Sequence, residues 1–235
     1  MEKNLLKINN VSKHFGGFAA LSDVSLEIAE GERFGLIGPN GSGKTTLINC
    51  VSGSMRNERG SIIFSGEDVT RLPAYQRTRR GIARSFQVPR PFASMTVLEN
   101  LLVPLEYAVR GKREDAHEIL RQIGLTEKSE TLSSRLTQVE LRKLELARAM
   151  AARPRLLISD EAMAGLSPAE VDELLPILFK LNETGITIIM IEHIMHAVMR
   201  FSQRVVCLDA GQIICEGTPA SIVKNADVQR AYLGA

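Results

Sequence analysis

Residues Gly38 to Thr45, Gly-Pro-Asn-Gly-Ser-Gly-Lys-Thr, constrain this chain more than any other segment. They fit the spacing GxxxxGK[ST] without departure, between a short apolar run, Arg33 to Ile37, and a stretch of helical spacing, Lys44 to Ser52, that stops at Gly53. A strand, a glycine-rich turn and a helix in that order form a phosphate-binding unit. The glycines let successive N–H groups turn inward, Lys44 can reach the β- and γ-phosphates of a nucleotide, and the Thr45 hydroxyl can ligate Mg²⁺ at the positive end of the helix.

The remaining pattern predicts what surrounds this unit. Leu5 to Val11 and Ala20 to Ile28 read as paired strands ahead of a Glu30-Gly31 turn, Ser61 to Ser65 as a strand, and Pro73 to Arg80 as a short basic helix closed by Gly81. From Pro89 to about Ala152 the β signals vanish and the residues favour helix, with breaks at Gly111 and Gly124. Strands then return at Leu156 to Ser159 and Ile186 to Ile191, alternating with helices at Pro168 to Asn182 and His193 to Phe201. A hairpin, Arg204 to Asp209 and Gln212 to Glu216, turns over Ala210 and Gly211. Strands separated by helices imply a covered, mainly parallel sheet. The expected fold is α/β: a phosphate-loop core with a mainly parallel sheet, an N-terminal antiparallel β subdomain and an inserted helical subdomain. One domain spans 1–235, with 1–88 and 153–235 as core and 89–152 as the helical part.

Composition narrows the function. At 235 residues, 24% charged and 44% hydrophobic, the chain is an ordinary globular protein with room for a sizeable core. A net charge of +2 gives no reason to expect a nucleic-acid partner. Cys50, Cys207 and Cys215 form no CxxC pair and read as reduced core residues. No stretch approaches the roughly 20 apolar residues of a membrane span, and the start, MEKNLLKINN, lacks a secretory pattern.

Further chemistry gathers at strand ends. Asp160 follows the apolar run Leu156-Leu157-Ile158-Ser159, and Glu161 comes next. Beside a phosphate loop, the first carboxylate can hold Mg²⁺ through its water shell, while the second can polarise the attacking water as a general base. Ser159 interrupts the run at little cost if its hydroxyl bonds locally. His193 closes the next strand, where strand ends converge on a nucleotide.

In order along nearly the whole chain, these residues resemble the ATP-binding cassette family: Phe15 ahead of GPNGSGKTT, Gln87 at the start of the helical part, the signature segment LTQVELRKLELARAM from Leu136 to Met150, SDE, AGLSP from Ala164 to Pro168, and His193. The resemblance implies an ATPase whose cofactors are ATP and Mg²⁺. Nucleotide would be held by Gly38, Pro39, Asn40, Gly41, Ser42, Gly43, Lys44, Thr45 and Thr46. Phe15 would stack on adenine, unless it packs in the core. Glu161, His193 and Gln87 would form the catalytic group, with Gln87 touching Mg²⁺ or the attacking water and His193 the γ-phosphate; Thr45, Gln87 and Asp160 would serve the metal. Thr137 would meet the ATP of a second cassette subunit, identical or different, so that two sites form between two chains. The implied partners are that subunit, integral membrane permease subunits and, indirectly, a periplasmic substrate-binding protein, with the chain peripheral on the cytoplasmic face of the membrane.

Within the family the chain looks most like the ATPase subunits of branched-chain amino acid importers, on AGLSPAE at Ala164 to Glu170, IEHIMHAVM at Ile191 to Met199 and GQIICEGTPASI at Gly211 to Ile222. Two alternatives stay open: a cassette ATPase outside transport, and a weakly hydrolysing, nucleotide-gated subunit. Cassettes acting on DNA or the ribosome carry coiled-coil insertions or tandem cassettes, and this chain has neither. The second alternative rests on Leu136-Thr-Gln-Val-Glu140, which stands where the family has Leu-Ser-Gly-Gly-Gln. Val139 replaces a glycine and would be strained at positive φ, and Glu140 sets a negative charge near the triphosphate. Phe86, Phe92 and Met95 either face the membrane partner or fill the helical part.

Overall fold

The computed structural model describes residues 3–233, so the expected domain limits at 1 and 235 lie outside the described residues. The first half of the chain runs β1 (Asn4–Phe15), β2 (Phe18–Ala29), β3 (Arg33–Ile37), α1 (Lys44–Ser52), β4 (Arg59–Phe64), β5 (Glu67–Asp68), α2 (Ala74–Arg79), β6 (Ile82–Ser85) and α3 (Val97–Pro104). A single π-turn, Leu105–Val109, leads to α4 (Arg113–Ile123), and two short 3₁₀ turns lead to α5 (Gln138–Met150). Then come β7 (Leu156–Asp160), α6 (Pro168–Glu183), β8 (Thr187–Ile191), α7 (Met195–Phe201), β9 (Arg204–Asp209), β10 (Gln212–Gly217), α8 (Pro219–Val223) and α9 (Ala226–Leu233).

Two sheets result. An antiparallel sheet has the order β2-β1-β4-β5, and a larger one β10-β9-β3-β8-β7-β6, parallel except for the β9–β10 hairpin. Successive side chains of a strand face opposite ways, so each central strand feeds two cores. Leu157, Ile188, Met190 and Val205 pack under the helices, while Ile158, Ile189, Ile191 and Val206 pack with α1 against the antiparallel sheet. Because both faces of β8 are apolar, the pattern alone leaves its register weakly specified. Polar residues pin the ends: the Thr187 hydroxyl accepts from the Gly31 N–H at 2.7 Å, and the Glu192 carboxylate accepts from the Met163 N–H at 2.8 Å.

Several elements differ from the sequence expectation. β6 was not expected, because Ile82-Ala-Arg-Ser85 is short and carries an arginine; it pairs with β7 from Ile82↔Leu156 to Ser85↔Ser159. The helix expected from His193 begins at Met195, since Ile194 is not helical. α8 and α9 were also missed, although capping signals mark both. Thr218-Pro219 gives a hydroxyl cap followed by proline in the first turn, and Asn225 Oδ1 accepts from the Asp227 and Val228 N–H groups. The Ala210-Gly211 turn has φ of 44° and 78°, both positive as a tight two-residue hairpin requires. Ser159 does not bond locally: its buried hydroxyl finds no partner among the described residues.

Arg77 fixes α1 beneath the sheet. It is 1% exposed, and its guanidinium donates to the Cys50 and Val51 carbonyls at 2.6 and 2.9 Å, satisfying orphan acceptors at the helix C-terminus. Cys50 and Cys207 are buried and Cys215 is half-buried. Burial pushes the first two thiols up to about 11 and about 12, which keeps them protonated and unreactive.

Candidate functional site

The C-terminal ends of β3, β6, β7 and β8 lie at one end of the parallel sheet, with Asp160 level with Ile191 and Ser159 level with Met190. The segment Gly38 to Gly43 leaves β3 there and enters α1. Glycine is required at two of its positions. Gly38 has φ +152° and a Cβ on it would meet the Leu208 carbonyl oxygen at 2.1 Å; at Gly43, with φ +106°, a Cβ would meet the Ala20 carbonyl oxygen at 2.5 Å. Lys44 is buried and its ammonium folds back on the loop, donating to the Gly38 and Pro39 carbonyls at 2.7 and 3.0 Å. Burial holds this lysine below the usual range, against the pull of the Glu161 and Asp160 carboxylates.

A cavity of about 240 Å³ lies over the loop, lined by Asn40 to Thr46 together with Phe15, Phe18, Glu161 and His193. Phe15 is 48% exposed, so of its two readings core packing is excluded. Phe18, missed at the sequence level, pairs with Phe15 across the Gly16-Gly17 turn and is 60% exposed. That turn was the available signal, because a glycine pair between two apolar strands places its flanking residues side by side.

Glu161 is the meeting point of three segments. Its Oε2 accepts from Gln87 Nε2 at 2.5 Å, and its Oε1 lies 3.1 Å from His193 Nε2. Its backbone is left-handed, with φ 48°, and its N–H donates to the Ile191 carbonyl at 2.8 Å. A glutamate held in a sparsely populated backbone region by its surroundings is a feature of functional sites. Asp160 has a partner that the sequence reading did not anticipate. Arg84 donates to Asp160 Oδ2 from Nε at 3.1 Å and from Nη2 at 2.5 Å, while its Nη1 donates to Asn49 Oδ1 at 2.6 Å. Both side chains of the pair are 9% exposed. No sequence signal marks this pair, because Ile82 to Ser85 does not read as a strand until β7 is beside it.

Thr45, Gln87, Asp160 and Glu161 line a second cavity of about 440 Å³, which shares Thr45 and Glu161 with the first. A hydroxyl, an amide oxygen and carboxylates are the hard oxygen donors that suit Mg²⁺. Among the described residues Asp160 Oδ1 carries no hydrogen bond, so the Arg84 pair leaves one oxygen available.

Thr137 lines neither cavity. It is the N-cap of α5 in a reciprocal capping box: its hydroxyl accepts from the Glu140 N–H, and Glu140 Oε2 accepts from the Thr137 N–H at 2.9 Å. Lys128 neutralises the same carboxylate at 3.2 Å. The strain expected at Val139 is absent, because Val139 lies in right-handed helix and is buried at 8% exposure. Five residues into the helix, Arg142 donates to the Gln87 carbonyl and, at 2.8 Å, to the Ala164 carbonyl. It is buried and was also missed.

Beneath the site, Glu192 is 1% exposed. Burial pushes its carboxyl up to about 7 from an ordinary 4.5; Glu161 and Asp160 push the same way, against the Met163 N–H and Arg142. Between these two values the folded chain keeps a proton that the unfolded chain has lost. Stability therefore falls as pH rises through that window, by an amount on the order of 3 kcal/mol. Glu192→Gln keeps the acceptor for Met163 and removes the titration. Thermal unfolding is expected to show the variant more stable than wild type at about pH 8 and flatter between about pH 5 and about pH 8; an unchanged slope would contradict the assignment.

A phosphate loop after one strand, paired carboxylates at the end of a second and a histidine just beyond a third define a nucleotide-hydrolysing α/β protein. The family model described as ABC transporter matches residues 21–164, and one described as Branched-chain amino acid ATP-binding cassette transporter matches residues 212–235. The chain belongs to the ATP-binding cassette (ABC) transporter family and is an ATPase of that class. It is 37% identical to the high-affinity branched-chain amino acid transport ATP-binding protein BraF of Pseudomonas aeruginosa, with 100% of this chain and 99% of that protein covered. It is 34% identical to the lipopolysaccharide export system ATP-binding protein LptB of Haemophilus influenzae, with 98% of each covered. Among solved structures, the ADP conformation of the cassette MJ1267 superposes with TM-score 0.91 at 31% identity, over 99% of this chain and 100% of that one. The dimeric cassette MJ0796 bound to ADP and Pi superposes with TM-score 0.82 at 27% identity, over 91% and 98%.

Proposed function

We propose that this chain is the ATP-hydrolysing subunit of an importer for branched-chain amino acids or closely similar small solutes. The observation that carries the reading of the site is Glu161, gripped by Gln87 and His193 at the mouth of the glycine loop. The loop from Gly38 to Thr46 cradles the phosphates, Lys44 leaves the Gly38 and Pro39 carbonyls for the β- and γ-phosphates, and Phe15, with Phe18 beside it, offers a face to adenine. Glu161 orients and deprotonates the attacking water, Gln87 holds that carboxylate in place, and His193 meets the γ-phosphate. Thr45, Gln87 and Asp160 would hold Mg²⁺, which would offset phosphate charge.

The chain works as one domain in a pair, with Thr137 and the start of α5 turned to the partner's nucleotide. MJ0796 supports this reading as a cassette dimer with ADP and Pi. No described helix is long and apolar enough to cross a membrane. Membership of the ABC transporter family supports a chain that meets the bilayer through permease subunits, here on the cytoplasmic face. A groove of about 570 Å³ between the core and the 89–152 region, with Tyr75, Phe86 and Tyr107 on its walls, suits a permease segment. Phe86 and Phe92 are 49% and 41% exposed, which favours a docking role for them over core packing.

The solute assignment is supported by BraF and by the C-terminal match at 212–235; the likeness to LptB makes lipopolysaccharide export the competing reading. The test is to assemble the chain with its permease subunits in lipid vesicles and follow ATP turnover. Stimulation by a binding protein loaded with leucine, isoleucine or valine is expected. Stimulation by lipopolysaccharide instead, or by nucleic acid without permease, would overturn the proposal.

A further inference from the structure

The C-terminal helix reaches the start of the glycine loop. α9 packs on β10 with Val228 buried, and this brings the Tyr232 hydroxyl to the backbone of Gly38, whose N–H donates to it at 2.8 Å. The space beside the Gly38 α-carbon is closed, since a Cβ there would meet the Leu208 carbonyl oxygen at 2.1 Å. On the other side of that α-carbon, the Gly38 carbonyl accepts from Lys44 at 2.7 Å. Two successive peptides are thus held, one by a phenol 194 residues away and one by an ammonium six residues away.

The two anchors differ in what happens when nucleotide enters. Lys44 must turn toward phosphate, so the Gly38 carbonyl gives up its donor at that moment. The Tyr232 bond does not involve Lys44 and can persist. A buried N–H without a partner costs free energy comparable to a lost hydrogen bond, so losing the phenol would let the loop entry relax away from the geometry that aims its amides at phosphate. Tyr232 as a whole is 39% exposed, but desolvation still raises the phenol's pKa, so it stays a neutral acceptor through the physiological range.

We propose that Tyr232 is a positioning residue for ATP binding, its hydroxyl fixing the entry of the phosphate loop and making α9 a working part of the nucleotide site. This rests on the reading of residues 38–45 as the phosphate loop. Tyr232→Phe removes only the acceptor and keeps the ring. Calorimetry with ADP on the purified full-length chain is expected to show affinity weakened about threefold to tenfold, the equivalent of one ordinary hydrogen bond. The thermal midpoint without nucleotide should move little, while amide exchange in the 37–40 segment speeds up. Lys44→Ala, measured alongside, separates the two readings. Normal affinity in Tyr232→Phe with loss in Lys44→Ala overturns the role of Tyr232 alone. Normal affinity in both removes the loop from the nucleotide site and the proposal with it. A fall in affinity matched by a lowered midpoint without nucleotide would make Tyr232 merely structural, and would also overturn the proposal.

Discussion

Replacing Glu161 by glutamine is expected to slow ATP turnover by about 10²- to 10⁴-fold, the usual contribution of a general base, while nucleotide still binds. The amide matches the carboxylate in shape, so the Gln87 and His193 contacts at 2.5 and 3.1 Å need only small rearrangement. What is lost is basicity toward water. A dimer trapped with ATP, seen by light scattering, is the accompanying result, and wild-type turnover would put the base elsewhere. The same substitution probes the irregular start of α5. There the Thr137 and Glu140 N–H groups are taken by each other's side chains, which leaves fewer donors for a phosphate across a dimer interface. If the partner is a different subunit with a regular Leu-Ser-Gly-Gly-Gln segment, the site built on this chain's phosphate loop is the stronger one. Glu161→Gln here then costs much more turnover than the equivalent change in the partner, and equal losses would refute the asymmetry.

Lys44→Ala is expected to raise the dissociation constant for ATP by about 10- to 100-fold, the range for losing a charged hydrogen-bond donor. Two effects add in the same direction. The variant loses the cation proposed for the β- and γ-phosphates, and the Gly38 and Pro39 carbonyls lose the donor that they have in the empty loop. In the wild type the exchange favours nucleotide, because an ammonium bonds anionic phosphate more strongly than a neutral carbonyl. Calorimetry decides the matter, and unchanged affinity would exclude residues 38–45 as the phosphate site.

Much of this architecture could be read ahead of the structure because it rests on local rules. The glycine spacing at 38–43, the apolar run before Asp160 and the turn at Ala210-Gly211 each demand one backbone arrangement. β6 is different: four residues with a central arginine form a strand only because β7 offers an edge and Asp160 offers a counter-charge. The pairing of Arg84 with Asp160 and the reach of Arg142 to Gln87 and Ala164 bring together residues far apart in sequence, and no periodicity records them. Val139 misled for another reason. A family glycine at that position suggested positive φ, whereas the capping box closes the helix around an ordinary helical valine.

Arg142 leaves a mechanical consequence. Its guanidinium spans the seam between α5 and the core, bonding the carbonyl of Gln87 on one side and of Ala164 on the other, while its Nε stays buried without a partner among the described residues. A rotation of the α3–α5 arm as a rigid lever cannot leave these bonds untouched: it either stretches them or drags both backbones with it. The Gln87 peptide carries the amide that steadies Glu161, and Ala164 lies three residues beyond Glu161 on the same loop. Torque applied to the arm from outside is therefore delivered to both sides of one carboxylate, and any movement of that carboxylate pulls back on the arm through the same two carbonyls.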